Sequence, residues 1–208
     1  MSNKRERLQY GFYNVELRQA ENETDSLPTL TGHAAVFNTE VEIQSFMGTF
    51  LEEIAPGAFT RAINEKQDVR ALFNHDPNKV LGRTSSGTLS LREDDKGLYV
   101  EIQPPNTALG NEVVELIRRG DVSQMSFGFV VTKEKVEKRE GYLFKRTILD
   151  VDLFDVSPVT FPAFDTTDIG IEQSFRSADN ILDSVQKQLD KLYVPNYKRK
   201  AKLLSWSL

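Results

Sequence analysis

Apolar residues at every second position recur along most of the chain, and this period of two constrains the fold more than any other feature. Leu98, Val100 and Ile102 alternate strictly, Thr88, Leu89 and Leu91 run toward them, and Glu93-Asp94-Asp95-Lys96-Gly97 supplies a turn between. This pattern predicts a hairpin with one face inward, ended by Pro104-Pro105. Similar strand signals cover residues 8–20 (around Tyr10, Phe12, Val15 and Leu17), 29–37, 68–73, 122–132, 142–153 and 156–161, with 41–50 ambiguous around Gly48. Asp76-Pro77-Asn78 reads as a turn and 133–141 as a charged one. Helical spacing is confined to three places. Phe59, Ala62 and Ile63 follow Pro56. Residues 107–119 put Leu109, Val113, Leu116 and Ile117 on one face and end in Arg118-Arg119-Gly120. Residues 178–194 carry Ile181, Leu182, Val185, Leu189 and Leu192 on one stripe. Many strands and few helices predict a β-rich α+β domain or a β-barrel with a C-terminal appendage. Thirteen phenylalanines fit a core of aromatic strands.

The composition removes several classes of function. A chain of 208 residues is long enough for one domain with a real core. After Phe164 it turns polar and loses its period, which divides it into a domain over 1–165 and a linker with a C-terminal amphipathic helix or tail over 166–208. The net charge of −5 argues against a nucleic-acid partner. No apolar run approaches the ~20 residues of a membrane span, and the basic start Met1 to Arg7 has no apolar stretch behind it, so no membrane segment and no secretory signal are expected. The absence of cysteine excludes disulfides, thiolate zinc sites and a thiol nucleophile. No metal or organic cofactor is implied.

Two short segments remain as carriers of chemistry. Met125-Ser126-Phe127-Gly128-Phe129 places a serine on a strand: Met125, Phe127 and Phe129 face the core, while Ser126 and Gly128 form a smooth strip on the other face. Such a strip would let an extended peptide approach, with Gly128 removing the nearest obstacle. Phe73-Asn74-His75-Asp76 carries one of only two histidines at a strand end before a turn. A neutral imidazole accepts a proton from a serine hydroxyl near pH 7. Taken alone, Ser126 reads sooner as a small residue between packed sheets and His75 sooner as a surface turn residue. The other histidine, His33, reads as a structural strand residue, with a lesser claim as a third member. A serine–histidine pair needs a group that orients the imidazole. In strict alternation Asp155 shares the apolar face of Val151 and Leu153 and needs a buried partner, either the histidine or an arginine such as Arg146. Asp150 and Asp152 read as a solvated face, and Asp76 points away.

These segments resemble a family when taken in order. Gly32 to Phe37, Ile54-Ala55-Pro56-Gly57-Ala58-Phe59, Phe73-Asn74-His75-Asp76 with Leu81-Gly82-Arg83, Met125 to Phe129, and Asp155-Val156-Ser157-Pro158-Val159-Thr160-Phe161-Pro162-Ala163 follow one another. The chain resembles the prohead (capsid maturation) serine proteases of tailed bacteriophages, of the HK97 type and related to the herpesvirus assemblins, over roughly residues 10–165. The resemblance implies a herpesvirus-protease-like β-barrel surrounded by a few helices. It implies a serine endopeptidase that cleaves scaffold segments from the major capsid protein precursor, and itself, inside the assembling procapsid in the host cytoplasm. It supplies His75 as base and Ser126 as nucleophile. Asp155, standing where many relatives carry glutamate, is the expected acid. Herpesvirus relatives dimerise, which leaves room for a homodimer. The alternative from another class is a non-enzymatic capsid scaffold or interaction module that docks through the C-terminal helix. An esterase is disfavoured because Gln124-Met125-Ser126-Phe127-Gly128 lacks the Gly-x-Ser-x-Gly elbow.

Overall fold

The computed structural model of the chain describes residues 6–8, 15–18, 27–45 and 48–161. Their β-branched and aromatic stretches form eleven strands: β1 (Glu6–Leu8), β2 (Val15–Arg18), β3 (Thr29–Val36), β4 (Val41–Ser45), β5 (Gly48–Ile54), β6 (Arg70–Phe73), β7 (Asp76–Arg83), β8 (Leu89–Glu93), β9 (Gly97–Ile102), β10 (Gln124–Glu137) and β11 (Lys145–Val159). Two α-helices interrupt them, α1 (Thr60–Asn64) and α2 (Ala108–Arg119). The expected hairpin forms as β8 and β9, with Leu89 opposite Ile102 and Leu91 opposite Val100. Its turn is tied by Asp94 Oδ1, which accepts from the Lys96 and Gly97 amides. Helix α2 is built as its sequence predicts. The Thr107 side chain accepts from the Gly110 amide at the start, Arg118 and Arg119 occupy the last turn, and Gly120 leaves the helix at φ 82°.

The strands make two sheets. One runs β1-β10-β11-β5-β4, with β6 beside β11 and β7 beside β6; the other runs β2-β3-β9-β8. Among the described residues these paths end in edges, so the β-rich α+β class holds while a closed barrel does not appear. One apolar core lies between the sheets. Phe127 and Phe129 point into it together, their rings stacked 4.7 Å apart, and Phe59 meets Phe127 edge-on at 5.4 Å.

The longest strand, β11, organises the site. It pairs antiparallel with β10 along most of its length. On its other edge it pairs in parallel first with β5, at residues 145–148, and then with β6, at Asp155 and Val156. The first half is pinned by a buried ion cluster: Arg146 donates to Glu52 of β5 at 2.9 Å and to Glu134 of β10 at 2.6 Å. The second half carries the candidate acid beside the candidate nucleophile strand.

Three boundaries differ from expectation for physical reasons. The two strand signals over 142–153 and 156–161 merge into the single strand β11, because a register shift absorbs an extra residue instead of ending the pairing. Strand β10 extends to Glu137, shortening the charged turn, since its exposed polar half still finds ladder partners on β11. The Asp76-Pro77-Asn78 stretch belongs to β7, and the reversal lies one step earlier, at Asn74 and His75. The expected tail helix over 178–194 and the linker before it lie outside the described residues.

Candidate active site

The tight reversal between β6 and β7 positions His75. Phe73 and Asp76 face each other across the hairpin, and the two residues between them have φ of 55° and 56°. Positive φ at both central positions defines a type I′ turn, which favours Asn at the first and Gly at the second. Asn74 suits its place, whereas His75 occupies a glycine position at a local cost. The turn is held from outside. The Asn74 amide donates to the Pro158 carbonyl at 3.0 Å. The Asn74 side-chain oxygen accepts from the Thr160 amide at 2.9 Å and from its hydroxyl at 3.2 Å. These bonds tie the His75 turn to the end of β11.

Ser126 is brought to the same place by the β10–β11 ladder. It stands directly opposite Ser157, and Gly128 stands opposite Asp155. Cross-strand neighbours share a face, so Ser126, Gly128, Ser157 and Asp155 form one polar patch on the side away from Phe127 and Phe129. Asp155 stands on this patch and not on the core face that strict alternation gives it. Leu153 faces Phe129 while Asp155 faces Gly128, so Phe154 is an extra residue on β11. This bulge turns Asp155 off the core face of Val151 and Leu153 and onto the patch.

The three side chains form a chain of hydrogen bonds. Ser126 Oγ lies 2.7 Å from His75 Nε2, and His75 Nδ1 lies 2.5 Å from Asp155 Oδ1. A carboxylate accepting from Nδ1–H leaves Nε2 as the acceptor for the serine hydroxyl. Ser157 Oγ donates to Asp155 Oδ1 at 2.8 Å and lies 3.3 Å from His75 Nδ1. All four residues are buried: His75 is 4% exposed, Asp155 6%, and Ser126 and Ser157 not at all. Low local dielectric strengthens bonds within such a network.

Gly128 has a different task from the one its sequence context suggested. A Cβ there would lie 2.2 Å from Asp155 Oδ2. The missing side chain makes room for the carboxylate, and the strip is filled by the site itself, not left open along the strand.

The other candidates fall elsewhere. His33 Nε2 bonds both oxygens of Asp94 at 3.0 Å and packs its ring edge-on to Tyr99, away from Ser126. Arg146 belongs to the ion cluster with Glu52 and Glu134, so it is not the partner of Asp155. Asp150 and Asp152, expected to be simply solvated, share Arg61, at 2.8 and 2.7 Å. The Arg61 guanidinium holds the Asp152 carboxyl below its ordinary range. Asp76 accepts from the Asn78 amide. Sequence reasoning assigned no task to Ser157 or Asn74. The one local signal was Asn74-His75 between two strand patterns, an Asn-x pair of the type I′ kind.

An imidazole held between a serine hydroxyl and a carboxylate is the arrangement of nucleophile, base and orienting acid found in serine hydrolases. The family comparison agrees with that class. The chain belongs to the caudovirus prohead serine protease family, whose sequence profile matches residues 13–183. Among solved structures it is similar to the bacteriophage T4 capsid assembly protease, at 14% identity and a TM-score of 0.44, over 76% of this chain and 99% of that one. No curated protein matches the chain.

Proposed function

We propose that this chain is a serine endopeptidase of prohead maturation that cleaves scaffold segments from the capsid protein precursor, and cleaves itself, with Ser126 as nucleophile, His75 as base and Asp155 as the acid that orients the base. The observation that carries this reading is the unbroken hydrogen-bond chain, 2.7 Å from Ser126 Oγ to His75 Nε2 and 2.5 Å from His75 Nδ1 to Asp155 Oδ1.

The chemistry follows from that chain. Ser126 Oγ attacks the scissile carbonyl carbon as its proton passes to His75 Nε2, and the carbonyl π electrons move onto oxygen. Asp155 stabilises the imidazolium that forms and remains ionised. The tetrahedral species collapses, the C–N bond breaks, and the departing amine takes the proton from Nε2. Water then gives a proton to Nε2 as its oxygen attacks the acyl-enzyme. Loss of Ser126 Oγ, reprotonated by His75, releases the new carboxyl terminus. Ser126 has no exposed surface, so a peptide must displace the groups packed over Oγ before attack.

Supported by two sheets around a single core, the finer fold expectation belongs to the same proposal, as a herpesvirus-protease-like arrangement without a closed barrel among the described residues. So do the homodimer, action inside the procapsid in the host cytoplasm, and the division into a protease unit over 1–165 and a tail over 166–208. Deleting 178–208 should leave peptide cleavage intact and weaken incorporation into procapsids; loss of folding would assign the tail to the domain.

Co-expression of the full chain with the capsid precursor of the same phage tests the catalytic reading. Ser126→Ala removes one small buried oxygen and should abolish clipping of the precursor and of the chain itself. Undiminished clipping by a folded Ser126→Ala protein would overturn the protease reading in favour of a scaffold or interaction module.

A further inference from the structure

We propose that Ser157 is a positioning residue for the reaction: its hydroxyl holds the Asp155 carboxylate against His75 and so keeps the imidazole aligned with Ser126. The inference rests on the Ser126–His75–Asp155 reading and adds a fourth residue to it.

Ser157 is the direct cross-strand partner of Ser126, and Asp155 is that of Gly128, so four consecutive places on one face of the β10–β11 ladder hold two hydroxyls, one carboxylate and one missing side chain. Ser157 Oγ is 2.8 Å from Asp155 Oδ1, the same oxygen that lies 2.5 Å from His75 Nδ1. It is also 3.3 Å from Nδ1 itself. Hydroxyl, carboxylate oxygen and ring nitrogen therefore form a closed triangle. The hydroxyl proton goes to Oδ1, and an Oγ lone pair remains directed at Nδ1–H.

Two consequences follow. An aspartate carboxylate turns about its last torsion in a broad well, and Gly128 presents no side chain toward Oδ2. The Ser157 bond supplies the restraint on the Oδ1 side. Second, a ring nitrogen bonded to one oxygen alone can swing about that bond, whereas a second acceptor on the same nitrogen restricts the swing. Swinging the ring would lengthen the Nε2–Oγ contact at its far end, where misplacement by about an ångström costs about 10²-fold in rate. A merely structural serine would need only a small volume and a satisfied hydroxyl. Ser157 is fully buried, and its hydroxyl contacts both the acid and the base.

The experiment compares Ser157→Ala, Ser157→Thr and Ser157→Val in the full chain, with initial rates of cleavage of the phage's capsid precursor followed at saturating and at limiting substrate. Thr and Val are matched in shape and differ in the hydroxyl, so any overpacking of the buried site is common to both. Ser157→Ala should slow the saturated rate about 10- to 100-fold with KM within about twofold, and Thr should exceed Val by a similar factor. In an Asp155→Asn background the Ser157→Ala change should cost less than twofold, since the carboxylate it holds is gone. Equal rates for Thr and Val, or an unchanged Ser157→Ala rate beside an inactive Ser126→Ala control, would overturn the role of Ser157 while leaving the triad standing. Undiminished cleavage by Ser126→Ala and Asp155→Asn would instead remove the triad reading beneath it.

Discussion

Gly128 and Asp155 face each other across the β10–β11 ladder, and the carboxylate of one occupies the space that a side chain on the other would fill. A Cβ at position 128 would lie 2.2 Å from Oδ2 and 3.1 Å from Cγ. Gly128→Ala is therefore expected to push the carboxylate off His75 Nδ1. Overpacking of this kind costs about 1–3 kcal/mol of stability, and cleavage should fall by about 10²-fold. In an Asp155→Ala background the same change should be nearly silent for stability. Denaturant midpoints and cleavage rates for the double-mutant cycle check both statements.

Asp155→Asn keeps the shape of the acid and changes what it offers. Its amide can present N–H to His75 Nδ1, which favours the tautomer with the proton on Nε2. That nitrogen then cannot accept from Ser126 Oγ. A fall of about 10⁴-fold in the cleavage rate constant is expected, as for a serine protease with its acid neutralised in this way, while the thermal midpoint changes little. A loss below tenfold in the folded variant would mean that His75 is oriented by something other than Asp155.

The ion cluster lies in the first half of β11, away from the site. Arg146 is buried between Glu52 and Glu134, at 2.9 and 2.6 Å. Arg146→Met removes the cation and leaves two carboxylates in the interior. Breaking a buried pair in this manner costs about 3–5 kcal/mol, read as a lowered midpoint in urea. Changing all three residues to apolar ones of similar volume should recover most of that loss.

The acid side of the stability curve has an identifiable source. The Asp152 carboxyl is held below its ordinary range, chiefly by its bond to Arg61. Burial pushes the Asp94 carboxyl up, but its bonds to His33 and to the Gly97 and Lys96 amides outweigh this and leave it lowered. A carboxylate whose folded proton affinity is depressed stabilises the fold above its unfolded pKa, roughly 3.9, and the contribution disappears as pH falls through the folded value. The thermal midpoint should thus decline below about pH 4. Asp152→Asn should lower the midpoint at neutral pH and make the acid decline shallower. An unchanged acid slope in that variant would exclude this pair as a source.

These relationships also explain which parts of the fold and site could be read from residues alone. The β8–β9 hairpin and α2 were legible because their signals are local: alternation about a polar turn in one, and an apolar stripe, two terminal arginines and a closing glycine in the other. Ser126 and His75 could be picked out because few residue types in this composition can supply a nucleophile and a base. The bulge at Phe154 was not legible, since an extra residue in a strand leaves the apolar pattern looking like simple alternation. Asp155 was chosen on the premise that it pointed with Val151 and Leu153, whereas the bulge turns it the other way. Gly128 was misread because the object it makes room for lies 27 residues away on the partner strand. Ser157 became visible only once the register set it opposite Ser126. Each miss concerns a non-local pairing, which no window of sequence contains.

The last prediction concerns the turn that carries the base. His75 stands at φ 56° without the freedom of glycine, and Asn74 precedes it at φ 55°. Asparagine enters this region readily because its short polar side chain bonds locally, while alanine lacks that compensation at about 1–2 kcal/mol. Asn74→Ala should therefore lower stability by about that amount. It should also loosen His75, because the bonds from Asn74 Oδ1 to the Thr160 amide and hydroxyl are lost. Asn74→Gly separates the two effects. Glycine accepts the positive φ without strain but still lacks the oxygen that ties the turn to β11. If the side-chain link is what places the imidazole, Asn74→Gly should keep most of the stability and still lose cleavage activity, by roughly tenfold or more. Equal activity in Asn74→Gly and the unaltered chain would show that the turn backbone alone, with the Pro158 carbonyl accepting from the residue 74 amide, is sufficient to hold His75 on Ser126.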